Sequence, residues 1–180
     1  MQGPWGPPPA YEPPSAEVRA ALAEVYARAD AALAPAASAC RACGKCCCFE
    51  PGGIVLFASA VELAYLVAET PAVRAPSVSS GSRSLAGECI APPVHAPELT
   101  LGARMLRGRA GDSWRCPYQQ GDLCAARGAR LLGCRTYFCD AGARELGEGV
   151  YADALREIQR IAAGQGPWWY GPARAYFEHV

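Results

Sequence analysis

The sequence predicts an α+β fold: a small, helix-rich single domain with irregular loops, organised by a cysteine metal site. Three observations carry that expectation. Three segments show helix signals, the ten cysteines of the 180 residues fall mainly in two blocks, and long Pro-, Gly- and Ser-rich stretches lack periodicity. A chain of this length suits one domain and can bury a real core.

Residues 1–14 hold six prolines and two glycines and read as an extended, Pro-rich arm. A metal-binding domain with the cysteine clusters then spans 15–166, and an aromatic tail, 167–180, packs on it. The first helix runs from an N-cap at Ser15 to about Leu33. Val18, Leu22, Val25, Ala29 and Leu33 recur on one face, and Pro35 ends it. Pro51-Gly52-Gly53 is a turn, and Ile54-Val55-Leu56-Phe57 a short strand or buried lead-in. Ser59-Ala60-Val61-Glu62 has capping-box spacing, so a second helix spans about Ala60 to Glu69 and stops before Pro71. From Ala72 to Pro97 the chain reads as a long irregular loop holding Cys89 and His95. Leu99–Leu106 and Ser113–Gln119 are expected to pair as strands. A tight turn at Gln120-Gly121-Asp122 then brings Cys116 and Cys124 together. A third helix covers about Ala143 to Ala163, with Leu146, Val150, Ala154, Ile158 and Ile161 on its apolar face. The tail carries Trp168, Trp169, Tyr170, Tyr176 and Phe177, expected in the core or as a lid.

Seventeen basic side chains, all but Lys45 being Arg, balance seventeen acidic ones. Nothing in that balance points to nucleic acid or to an anionic membrane surface. The longest apolar run, Leu63 to Ala68, is far short of the ~18 residues of a membrane span. Met1 to Ser15 has no basic residue and no apolar stretch of a secretory leader. The expectation is a soluble protein of a bacterial-type cytoplasm, where thiols stay reduced and clustered cysteines serve metal or redox chemistry.

The first block is Cys40-x2-Cys43-x2-Cys46-Cys47-Cys48, and the second is Cys116-Pro117-x6-Cys124-x9-Cys134-Arg135-x3-Cys139. Thiolates two residues apart can wrap one centre, because the turn between them directs both sulfurs inward. Three cysteines at that spacing also suit an iron–sulfur cluster, whose remote fourth ligand is often followed by proline, as Cys116 is. Adjacent Cys46 and Cys47 do not easily ligate one ion together, so they serve two centres or one ligand and a neighbour. The spacing points to metal and leaves iron–sulfur and zinc both open.

The two blocks together resemble the cysteine-cluster family of zinc- or iron-chelating proteins. Cys40, Cys43, Cys46 and Cys47 match its first block, and Ile54–Leu56 and Glu62 its apolar segment and Glu-bearing helix. Cys116-Pro117-Tyr118, Cys124 and Cys134-Arg135-Thr136-Tyr137-Phe138-Cys139 match its last block. Leu131 stands where the family has proline, and Ala125-Ala126 replaces an aliphatic–Tyr pair. The resemblance implies metal chelation through Cys40, Cys43, Cys46, Cys47, Cys116, Cys124, Cys134 and Cys139, with an iron–sulfur cluster or zinc as cofactor. Cys48 and Cys89 have no counterpart. Through relatives that methylate flagellin lysines, the resemblance also offers an enzyme as the alternative. A further alternative is an interaction module that zinc only holds in shape; a protein partner is compatible with either.

Other motifs carry less. Cys43-Gly44-Lys45-Cys46 matches a C-x-x-C redox pair, but it lacks the preceding strand and following helix of that motif. Gly147-Glu148-Gly149-Val150-Tyr151-Ala152 spells G-x-G-x-x-A inside a helical pattern, so no dinucleotide site is expected. His95 and His179 have no partner at catalytic spacing. Arg135, beside Cys134, is expected either to stabilise thiolate charge or to lie on the surface.

Overall fold

The computed structural model describes residues 6–10, 12–39, 47–49, 55–70, 114–120 and 123–177. These form helices and small antiparallel sheets, a mixed α+β arrangement. The turn at 51–53, the stretch 72–97, the expected strand Leu99–Leu106, and Cys40, Cys43, Cys46, Cys89 and His95 lie outside the described residues. No described helix is long and apolar enough to cross a membrane.

Helix α1 spans Ala16–Leu33, and the Ser15 hydroxyl accepts from Val18 N. All five stripe residues are buried, with Tyr26 beside them. Pro35 does not break the chain direction outright: a 3-10 turn continues over Ala34–Ala39. Strand β1, Cys48–Phe49, precedes β2, Phe57–Ser59, and α2, Ala60–Glu69. The capping box of α2 is complete, Ser59 and Glu62 bonding each other's backbone.

Strand β3, Trp114–Arg115, pairs with β1 in the register Cys48↔Arg115 and Phe49↔Trp114. The end of the first cysteine block is thus a partner of this segment; the expected pairing with Leu99–Leu106 lies outside the described residues. Strands β4, Gln119–Gln120, and β5, Leu123–Cys124, form the expected tight hairpin, with Gln119 opposite Cys124. A 3-10 turn at Arg127–Ala129 leads to α3, Leu132–Thr136, a five-residue helix that periodicity could not reveal.

Helix α4 spans Ala141–Ala162, capped by the Asp140 carboxylate on Gly142 N and Ala143 N. Its buried face is Ala143, Gly147, Ala154, Ile158 and Ala162; Leu146, expected inside, is 38% exposed. Small residues define that face because neighbouring backbone approaches it closely. A Cβ on Gly147 would collide with the Thr136 carbonyl and touch the Phe138 ring, whereas one on Gly149 meets nothing. Gly147→Ala is therefore expected to destabilise by about 1–3 kcal/mol, overpacking outweighing helix propensity. Gly149→Ala is expected to stabilise by up to about 1 kcal/mol. Urea midpoints of the two variants check this pair, and equal stabilisation of both would contradict it.

Strand β6, Tyr170–Pro172, pairs antiparallel with β2, and α5, Ala173–Phe177, closes the described chain. Trp169 and Tyr176 enter the main core with Leu22, Leu63, Leu132 and Ile158, while Trp168 is 42% exposed. A second small cluster joins Leu33, Phe138 and Ala143, with Ala36 packed on it.

Candidate metal centre

The end of the first cysteine block lies against the start of the second. Beyond the β1–β3 pairing, Cys116 N donates to the Cys47 carbonyl at 3.0 Å. The β4–β5 hairpin then turns the chain back, with Ala125 N donating to Tyr118 O at 2.8 Å. Helix α3 adds Cys134. As a result Cys116, Cys124 and Cys134 line one cavity of about 20 Å³, together with Leu56, Tyr118, Arg130 and Phe177. All three are partly buried and pack on the main core. Cys47 is also partly buried, Cys139 is exposed, and neither lines the cavity.

Cys139 instead lies beside a contact between the second block and the segment before the first. Its neighbour Phe138 packs with Leu33 and Ala36, on the turn that leads toward Cys40. Among the described residues no three Cys, His, Asp or Glu side chains are grouped tightly enough to hold an ion. The positions of Cys40, Cys43 and Cys46 lie outside the described set. The donor chemistry nevertheless fits a soft ion: the cavity has three cysteines and no carboxylate in its wall. Its volume has room for one water-sized or ion-sized body. A four-iron cube would require the walls to move apart.

Glu62 explains why α3 sits where it does. It is 1% exposed, and its Oε2 accepts from Ser59 N at 2.9 Å and Ser59 Oγ at 2.8 Å. Its Oε1 accepts from Leu132 N at 3.1 Å and from the Tyr26 hydroxyl at 3.4 Å. One carboxylate thus caps α2 and the first turn of α3, whose own N-cap residue, Leu131, makes no side-chain cap. Burial raises the Glu62 carboxyl above its ordinary range, against the pull of its Ser59, Leu132 and Tyr26 donors. Burial likewise pushes the Tyr26 hydroxyl well up, with the Glu62 charge adding to it. Glu62 therefore enters the site as the residue that positions Cys134, and the structure gives it no place in the cavity wall.

Arg135 is neither on the surface nor turned toward the cavity. Its side chain is 2% exposed, and its Nε donates to the Arg130 carbonyl at 2.8 Å. Its other nitrogens bond Asp30 and the Gly128 carbonyl, and the guanidinium lies 4.3 Å from the centre of the Tyr26 ring. The residue pins the 128–135 segment to α1. Neither expectation for Arg135 holds: it adjoins Cys134 in sequence, but on a helix adjacent side chains do not share a face, and its own side chain is buried. The cation in the cavity wall is Arg130, four residues before Cys134.

Leu131 has φ −59° and ψ 154°, and Arg130 has φ −51° and ψ 141°. The Leu131 φ is one that proline adopts, whereas the Arg130 φ lies outside the usual pre-proline range although its ψ is extended. Compared with family models, curated proteins and solved structures, the chain matches none.

Proposed function

We propose that this chain is a metal-chelating protein in which the two cysteine blocks converge on thiolate centres. The observation that carries this reading is the shared cavity of Cys116, Cys124 and Cys134, beside which Cys116 is bonded to the Cys47 backbone. Thiolates are soft donors that select zinc or iron–sulfur centres over hard cations. The small cavity favours a single ion, zinc, held by cysteines of this wall together with cysteines of the first block, since the three wall cysteines are not by themselves grouped tightly enough to hold an ion. Cys47 is the candidate that the β1–β3 pairing keeps nearest in the chain. Cys40, Cys43, Cys46 and Cys139 complete the set of eight, and the Phe138 contact with the turn before Cys40 supports their grouping. Because adjacent cysteines rarely share an ion, two centres suit the eight better than one.

Zinc supplies charge neutralisation and four directed bonds to irregular chain. The residues around it do the rest: the turn after β3, strand β5 and α3 carry Cys116, Cys124 and Cys134 to one wall, and the apolar lining limits water.

The test is stoichiometric. Replacing Cys116, Cys124 and Cys134 together by Ser is expected to remove at least one metal equivalent per chain. Replacing Cys89, outside both blocks, is expected to remove none. Undiminished metal in the triple variant would overturn the assignment.

A further inference from the structure

We infer that the groove between α1 and α4 is a docking surface for a second copy of this chain, the two copies meeting face to face about a two-fold axis along the groove. Leu33, at the end of α1, packs with Ala143, near the start of α4, so the two helices run antiparallel. Between them lies an open groove of about 330 Å³. Its floor is Ala21, Val25 and Ile161, and its rims carry Glu24 and Arg28 from α1 and Arg160 and Glu157 from α4. An ion pair between Arg28 and Glu157 crosses it. Glu24 and Arg160 have no ion-pair partner among the described residues. The exposed neighbours of Glu24 on α1, Ala20 and Ala27, put no bulk in the way of an approaching helix.

The charge pattern names the occupant. Along the groove the α1 rim reads acid then base, Glu24 and Arg28, while the facing α4 rim reads base then acid, Arg160 and Glu157. At 1.5 Å per residue the charges are spaced by about 6 Å on one rim and about 4.5 Å on the other. The patch sums to zero charge, so it draws in neither a polyanion nor a polycation. What it complements is its own pattern. A half-turn about the long axis of the groove lays each α1 rim on the partner's α4 rim. Glu24 then faces the partner's Arg160, and by symmetry the same contact forms twice. An axis across the groove would instead set Glu24 against an Arg28 that Glu157 already engages. The two charges left without a partner in one copy are thus each other's partners across two. This docking does not rest on the chelation reading.

The experiment is sedimentation velocity on the full chain over roughly 1–200 μM protein, a range that spans the affinity of a small interface guided by charge. Wild type is expected to dimerise, and to do so more weakly as salt rises, because the pairing charges stand on exposed rims. Glu24→Arg and Arg160→Glu each set like charges against one another at both symmetry-related contacts. Either is expected to weaken dimerisation by about 10–100-fold. An equimolar mixture of the two variants restores opposite charges at both contacts, so it is expected to regain the dimer as a heterodimer. Damage to the fold cannot produce that recovery. Glu148→Arg, exposed on α4 and outside the groove, leaves the dimer unchanged. A wild type that stays monomeric throughout, single variants that associate as tightly as wild type, or a mixture that fails to recover would each overturn the inference.

Discussion

Glu62→Ala is expected to cost about 3–5 kcal/mol of folding stability, the range for breaking a buried charged hydrogen-bond network. The carboxylate accepts from Ser59 N, Ser59 Oγ, Leu132 N and the Tyr26 hydroxyl. Alanine leaves Ser59 N and Leu132 N buried without that acceptor, at about 1–3 kcal/mol each, and opens a void beside Tyr26. Because Leu132 N begins the helix that carries Cys134, the metal affinity of the proposed centre is expected to fall with stability. Denaturant unfolding of the zinc-loaded protein measures the first effect and chelator competition the second. A loss below about 1 kcal/mol would show that the capping network contributes little.

The pH dependence of the same residue has a definite sign. Burial holds the folded Glu62 carboxyl above its unfolded value, so the folded state binds the proton more tightly. The contribution of Glu62 is greatest below the unfolded carboxyl range and declines as pH rises through the raised folded value. Glu62→Gln removes this decline. The stability gap between wild type and Glu62→Gln is therefore expected to narrow as pH rises through that window.

If the proposed centre holds zinc, removing it is expected to have the largest effect on the chain. Structural zinc sites contribute about 10–16 kcal/mol of apparent binding free energy at neutral pH. That equals or exceeds the roughly 5–15 kcal/mol by which folded domains are stable at all. The loss should be uneven. Helices α1 and α4 pack through Leu22, Val25 and Ile158, all nearly inaccessible, and make the most extensive helix contact of the described chain. Strands β1, β3, β4 and β5 have two residues each and cannot hold together through sheet pairing alone. Metal-free protein is thus expected to keep helical circular dichroism while amides of 114–139 lose hydrogen-exchange protection and the melt broadens. Superimposable melts and exchange patterns with and without chelator would contradict this.

What the sequence made legible was local. Ser15 and the Ser59–Glu62 pair mark two helix starts within a turn of the residues they cap, and α1 and α2 lie where those signals put them. The Cys116–Cys124 approach was legible for the same reason, a tight turn between short strands. The rest depends on partners far along the chain. Helix α3 is too short for periodicity, and its cap comes from Glu62, 70 residues earlier. Arg135 is fixed by Asp30, 105 residues away, so its adjacency to Cys134 misled. Leu146 looked buried because size suggests a core, whereas close backbone contact at Gly147 sets the inner face of α4. That Arg130, and not Arg135, shares a cavity wall with Cys116, Cys124 and Cys134 is visible only in the structure.

Metal content after anaerobic purification tests the central claim most directly, read together with the visible spectrum and acid-labile sulfide. A colourless protein with at least one tightly held zinc per chain and no sulfide is the expected result. Brown absorbance with stoichiometric sulfide would keep the thiolate centres and replace zinc by an iron–sulfur cluster. A protein that folds fully with neither metal nor sulfide would contradict the account.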